Sequence, residues 1–402
     1  MYERTLNERE SRVDWPLGLA LLGLFLVGVT FIYSATSARD SFADIPWYRQ
    51  LAFQQVVWFG LGTLMAVGFC FLDYRVWTRW ALVYYWVMIL LLVAVLIPGI
   101  GSMRWGARRW INMGFFQFQP SEFAKLAFIF AQAHFLSRPV EELRQSGVFW
   151  KGLGLTLLPF ALILKEPDLG SALVLLPVGM VMMYVAGVPV RFLRRFLGGS
   201  ALLVGLILVD ILYAPPGWQI KLENYQKRRL LVYFGRDYAP ADASPEVRRL
   251  ARIQQFNDSY NVRQALISVG SGGFFGKGWR KGDQIRLGFL PRGVAHNDFI
   301  FSVIAEEKGF VGSVVVIALY TVVLFAGLRT AGQARDRLGK LLAVGVVTLF
   351  LSHVFINIGM NIRIMPVTGI PLPLLSYGGS SVLCSLIAAG MLQNIHYYRK
   401  VY

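Results

Sequence analysis

Phe289–Gly312, F-L-P-R-G-V-A-H-N-D-F-I-F-S-V-I-A-E-E-K-G-F-V-G, begins as a polar stretch and runs into a long apolar segment, with Asp298 at the junction. Glu306, Glu307 and Lys308 then interrupt what would otherwise read as a membrane span. A charge at membrane depth costs from ~2.5 to more than 10 kcal/mol, so such groups face a partner or a water-filled cavity. The rest of the chain must therefore supply both an apolar slab and polar company for these residues.

Composition supplies the slab. The 402 residues are 55% hydrophobic, 14% aromatic and 16% charged, where a soluble protein carries about 25% charged residues. Working outward from the opening stretch, apolar runs long enough to span fall at 299–328, 339–361 and 375–395 on one side. On the other side lie 15–33, 51–72, 80–98, 121–137, 150–164, 170–188 and 197–213. The expected fold is an all-α polytopic membrane protein of about ten transmembrane helices. It forms a single membrane domain over 1–402, with one large loop, 214–297, between helices 7 and 8. The first run ends in S-A-T-S-A, which looks like a signal-peptidase site, but it is too long for a signal peptide and reads as an uncleaved first helix. Cys70 and Cys384 both lie in apolar runs, so they read as buried thiols and not as a disulfide framework.

The formal charge is +17. High hydropathy excludes the nucleic-acid partner such a charge would suggest in a soluble protein. What remains is an anionic lipid surface or an anionic lipid-linked substrate. Lys and Arg in the short loops set the orientation. Arg75/Arg79, Arg138/Arg144/Lys151, Arg191/Arg194/Arg195, Arg329/Arg335/Arg337/Lys340 and Arg399/Lys400 place both termini in the cytoplasm. The cluster Arg104/Arg108/Arg109 breaks that bias and so is a candidate functional group. The long loop is then extracytoplasmic and basic, either merely solvated or facing an anionic substrate. Within it, Ser271–Trp279 (S-G-G-F-F-G-K-G-W) could let backbone amides approach a phosphate beside Lys277. The signal is weak, and it does not match a P-loop.

Four polar groups lie in or beside the spans. Glu122 and Lys125, three apart after Pro120, share a helix face; they form either a structural ion pair or a pair lining a cavity. Asp168, in K-E-P-D-L-G-S, either caps the next helix or belongs to a site. Residues 365–381 carry three prolines and three glycines and read as a re-entrant segment, which is tolerated only beside a cavity; that places a cavity near Arg363 and Tyr377. Asp298 either caps its helix or acts as a base. No metal-binding spacing and no Ser-His-Asp order is present.

At these residues the chain resembles the SEDS (shape, elongation, division and sporulation) family, which includes RodA and FtsW. The resemblance is carried in order by I-Y-S-A-T (32–36), Q-P-S-E-F-A-K-L (119–126), P-D-L-G-S-A (167–172) and V-G-S-G-G-F-F-G-K-G (269–278). H-N-D-F-I-F (296–301), A-E-E-K-G (305–309) and M-P-V-T-G-I-P-L-P-L-L-S-Y-G-G-S-S (365–381) complete it. The V-T-G-I-P-L-P form is more RodA-like than FtsW-like. The resemblance implies an inverting peptidoglycan glycosyltransferase that polymerises lipid II on the outer face of the bacterial inner membrane. Its partner would be a class B penicillin-binding protein transpeptidase. Asp298 would be the catalytic base towards the acceptor 4-hydroxyl. Glu122, Lys125, Arg108, Arg109, Lys277 and Asp168 would bind substrate, chiefly the undecaprenyl-pyrophosphate charge. A divalent cation could assist, although no ligand set demands one. Three departures from the family pattern stand out: Arg292-Gly293-Val294-Ala295 precedes His296 where the family has a glutamate and a shorter spacing, Asn297 replaces a threonine, and Glu166 replaces a glutamine. A lipid-linked precursor flippase, or a non-catalytic scaffold, are the competing expectations. Transporter charges, however, gather near the midplane in related halves, whereas these favour the outer ends of spans.

Overall fold

The computed structural model describes residues 12–38, 45–104, 107–114, 116–213, 224–239, 244–291 and 293–399. Arg292, named in the motif reading, and Lys400, named in the charge reading, lie outside them.

In chain order the helices begin with α1 (Trp15–Ser37), α2 (Leu51–Cys70), the short α3 (Tyr74–Arg79) and α4 (Ala81–Leu96). A small antiparallel sheet follows, β1 (Gly101–Arg104), β2 (Ala107–Asn112) and β3 (Gln117–Phe118) in that spatial order. Then come α5 (Pro120–Leu136), α6 (Val140–Leu143), α7 (Ser146–Lys165), α8 (Leu169–Ala186) and α9 (Val190–Tyr213). The expected outer loop is itself partly helical, with α10 (Asn224–Phe234), α11 (Pro245–Ser271) and α12 (Asp283–Arg286). The chain closes with α13 (Ile300–Gln333), α14 (Arg337–Asn361) and α15 (Gly379–Tyr397).

Ten of these helices, α1, α2, α4, α5, α7, α8, α9, α13, α14 and α15, fall on the ten expected spans. Seven are by length and apolarity alone sufficient to cross a membrane. The other three, α4, α5 and α15, are shorter or more polar. The sheet was not expected; it sits on the segment that carries Arg108 and Arg109.

Burial ranks the helices. The most apolar window of α14 is 72% buried and that of α9 only 6%, so α14 is the hub and α9 stands at the edge. Around the hub, α13 and α8 pack on α14, α1 on α13, α7 on α8, α4 on α5 and α2 on α15. The buried side chains are those of an ordinary apolar core, such as Phe128, Ile129, Leu342 and Leu392. At one end Asp14, the N-cap of α1, lies 2.7 Å from Arg329 of α13, and its amide donates to Gln393 of α15 at 3.3 Å. The start of α1 and the later turns of α13 and α15 therefore meet on one side of the bundle.

The two Gly-rich motifs meet at the other end. Gly309 breaks α13 with φ of 64°, and the preceding turn leaves backbone groups free. Those groups pair with the 273–278 loop: Lys277 N donates to Glu306 O at 3.0 Å, Gly278 N to Glu307 O at 3.0 Å, and Phe310 N to Gly273 O at 2.9 Å. Lys277 Nζ is 2.8 Å from Glu306 Oε1 and 3.2 Å from Asp283 Oδ2. Ser34 of α1 donates to Glu307 at 2.5 Å. The intramembrane glutamates thus have partners, which is how their burial is tolerated.

Candidate active site

A cavity of about 740 Å³ opens at the end of the bundle away from the Asp14–Arg329 pair, within the usual range for ligand sites. It lies where several helices begin. The first turns of α5, α8 and α15 contribute Glu122, Ser171 and Ser380/Ser381, and Asp298 sits just ahead of α13. Helix N-termini carry partial positive charge and unsatisfied N–H groups, so their convergence favours an anion. Arg109 of β2 adds a full charge to the same wall. Phe53, Val57 and Trp58 of α2 form an apolar side, with Phe53 and Val57 exposed at the surface of the bundle.

Asp298 does not cap α13: Phe299 is the N-cap, and no side chain accepts there. Its backbone is held instead by two amides from the hub helix. Asn357 Nδ2 donates to Asp298 O at 3.0 Å and to Ile370 O at 2.8 Å, and Asn361 Nδ2 donates to Asp298 O at 3.1 Å. Its neighbours are fixed as well, since Ser376 Oγ donates to Asn297 O at 2.6 Å and Tyr377 N to His296 O at 2.9 Å. The carboxylate is left facing the cavity. Burial raises its pKa to about 6; Arg109 and Arg229 pull it down and Asp168 pushes it up.

Arg109 is locked in place: its Nε donates to Glu166 O at 3.0 Å and its Nη2 to Pro167 O, and Nη1 lies 3.9 Å from Asp168 Oδ2. Asp168 caps α8 through Ser171 N at 3.1 Å and also lines the cavity. Glu166 is fully buried, and among the described residues neither carboxyl oxygen has a hydrogen-bond partner. Burial, with Asp168 adding and Arg109 opposing, raises its pKa to about 9, so it stays protonated at neutral pH, an acid playing the part of an amide.

The remaining expected binders sit elsewhere. Lys125, 1% exposed, is not in the cavity wall. Its ammonium lies 2.7 Å from Glu122 Oε1 and 3.0 Å from His353 Nε2, and His353 Nδ1 is 3.4 Å from the Pro371 carbonyl. An ammonium this buried serves its carboxylate and not an incoming phosphate. Lys277 is occupied by Glu306 and Asp283, and its glycine loop is bonded to the α13 break, leaving no cradle for phosphate. Arg108 neighbours Arg109 on the strand, so its side chain leaves the opposite face, and it is not in the cavity wall. The re-entrant segment does border the cavity, through Gly369, Pro371, Tyr377 and Gly378. Arg363 instead reaches Val232 O, away from it. Asn357 and Asn361 were not singled out from sequence; amides four apart in an apolar helix were the available signal. Among the described residues no group of three or more potential metal ligands forms.

The cell cycle protein family FTSW_RODA_SPOVE matches residues 16–401. The chain is 34% identical over 392 residues to the probable peptidoglycan glycosyltransferase FtsW of Trichlorobacter lovleyi, covering 96% of this chain and 94% of that one. It is 32% identical over 391 residues to the peptidoglycan glycosyltransferase MrdB of Escherichia coli K12, covering 97% and 95%. A solved structure described as showing structural coordination of polymerization and crosslinking by a peptidoglycan synthase complex superposes with a TM-score of 0.73 at 30% identity, covering 96% of this chain and 98% of that one.

Proposed function

The chain belongs to the FtsW/RodA/SpoVE family of cell cycle proteins, and from that premise we propose how it works: it is a peptidoglycan glycosyltransferase in which Asp298 is the general base. The observation that carries this is a carboxylate that caps nothing, facing a cavity where Arg109 and several helix N-termini converge. A general base works best with a pKa near the operating pH, and about 6 meets that condition.

In this reading the acceptor 4-hydroxyl of one lipid II gives its proton to Asp298. Its oxygen bonds to C1 of the donor sugar as the C1–O bond to undecaprenyl pyrophosphate breaks, with inversion. The charge released onto the pyrophosphate is met by Arg109 and the helix dipoles, a load that Lys125, Lys277 and Arg108 do not share. Glu122, held by Lys125, and Asp168, held by Arg109, orient sugar hydroxyls. The apolar α2 wall with Phe53 and Val57 accommodates the polyprenyl chain. Asp298 then returns its proton to water.

The whole chain, 1–402, acts as one membrane domain in the bacterial inner membrane, with both termini cytoplasmic and 214–297 outside. Its partner is a class B penicillin-binding protein transpeptidase. The RodA-like form of 365–381 supports a role in elongation and cell shape.

The test is polymerisation of purified lipid II by the purified protein, alone and with a cognate transpeptidase. Asp298→Asn and Asp298→Ala should lose about 10²–10⁴-fold in rate with unchanged thermal stability. Glycan strands made equally by wild type and Asp298→Asn would remove Asp298 from the chemistry.

A further inference from the structure

A second cavity, of about 830 Å³, lies at the opposite end of the bundle and has no part in the chemistry above. Helix α8 starts beside Asp168 in the outer cavity and ends at Ala186, beside the second one. At 1.5 Å per residue its 18 residues separate the two sites by about 27 Å, roughly the thickness of a bilayer core.

Three cations line the second cavity: Arg144 after α6, Arg191 in the first turn of α9 and Lys340 in the first turn of α14. All three are exposed, and among the described residues none forms an ion pair. Three like charges from separate segments repel one another unless an anion joins them. Below them the floor is apolar, built from Val188, Leu328, Ala331 and Val344. Two turns beyond the lining residue Val190, Leu197 of α9 is exposed, and one turn before the lining residue Leu328, so is Phe325 of α13. Helix α9 buries only Leu193 and Ile211 along its 24 residues, so little else fastens it.

We propose that this cleft binds one anionic glycerophospholipid of the adjacent leaflet, its phosphate among Arg144, Arg191 and Lys340 and its acyl chains along Leu197 and Phe325. Basic pockets between transmembrane helices recognise such headgroups, and the apolar floor has no use in binding a soluble anion. The lipid joins α9 to α14 where protein contacts are sparse.

The experiment uses the full chain in detergent, with dioleoyl phosphatidylglycerol as probe and dioleoyl phosphatidylcholine and glycerol 3-phosphate as controls. Native mass spectrometry reads retained lipid, and thermal unfolding reads stabilisation. Wild type should keep one phosphatidylglycerol and gain in Tm with it, but with neither control. The variant Arg144→Gln/Arg191→Gln/Lys340→Gln should lose affinity by about fivefold for each charge removed. The charge-keeping Arg144→Lys/Arg191→Lys/Lys340→Arg should retain the lipid, which separates loss of charge from loss of fold. Equal retention by the Gln variant, or equal stabilisation by phosphatidylcholine, overturns the site. So does a Tm gain from glycerol 3-phosphate as large as that from the lipid.

Discussion

At the scale of single residues, two acids at or near the cavity, the half-buried Asp298 and the buried Glu166, have opposite uses. As the proposed base, Asp298 must be ionised to act, and burial raises its pKa to about 6 while Arg109 and Arg229 hold it from going higher. The polymerisation rate should therefore rise through pH 6 and level off above it, falling about tenfold per unit on the acid side. Removing a cation disfavours the charged form, so Arg109→Gln should move that limb to higher pH in addition to slowing turnover. A limb unchanged by Arg109→Gln in a kcat/KM profile would disconnect the two groups. Glu166, by contrast, is kept neutral. Its folded pKa of about 9 stands above the unfolded 4.5, so between those values the unfolded chain binds fewer protons and stability falls as pH rises. Glu166→Gln removes that dependence. Its Tm should exceed that of wild type by more at pH 8 than at pH 5, and a difference independent of pH would count against a protonated Glu166.

At the scale of elements, the bond between the 273–278 loop and the break in α13 fixes the segment that leads to Asp298. Gly276, at φ of 81°, has no room for a Cβ, which would sit 2.3 Å from Glu307 O; Gly309, at φ of 64°, would bring one 2.4 Å from Gly276 N. A left-handed non-glycine costs ~1–2 kcal/mol and overpacking ~1–3 kcal/mol. Gly276→Ala and Gly309→Ala should thus each destabilise by about 2–5 kcal/mol in reversible unfolding. Gly60→Ala, on an open helical face of α2 with nothing near it, should stabilise by up to about 1 kcal/mol. Similar effects at all three positions would refute the interlock. The sequence showed both motifs and not their pairing, because nothing in either string points to a partner some thirty residues away. Hydropathy made the spans legible, since each residue facing lipid must be apolar. The strands at 101–118 are too short and too rich in Arg and Trp to alternate visibly. Charge in the wrong place pointed to Asp298, Glu122 and Asp168, which line the cavity. It pointed equally to Lys125 and Lys277, which do not line it and are paired with Glu122 and with Glu306 and Asp283.

At the scale of the whole molecule, the fold fixes which groups share a side, and the charge fixes which side is in. Helix α2 enters at the cavity and leaves towards Arg75 and Arg79; α5 leaves towards Arg138 and α8 towards Arg191. Helix α13 runs from Asp298 to Gln333, ahead of Arg335 and Arg337. Each of these cationic turns therefore lies at the end away from the cavity, together with the Asp14–Arg329 pair that fastens the N-terminal helix. Some are held within that face: Arg75 lies 2.8 Å from Asp336, whose pKa is lowered because hydrogen bonds from Gly339, Tyr74 and Arg75 outweigh burial, which opposes them. Short loops rich in Lys and Arg stay in the cytoplasm, while a long segment such as 214–297 crosses regardless of its charge. In the proposed topology the cavity faces outward, where a lipid-linked sugar on the outer leaflet can reach it. Single cysteines in a Cys70→Ala/Cys384→Ala background test this, one replacing the exposed Ser244 ahead of α11 and one the exposed Arg335 between α13 and α14. In intact spheroplasts a membrane-impermeant maleimide should label Ser244→Cys at once and Arg335→Cys only after permeabilisation. The reverse pattern would turn the molecule over and place Asp298 on the cytoplasmic side, where polymerisation could not proceed on the outer leaflet.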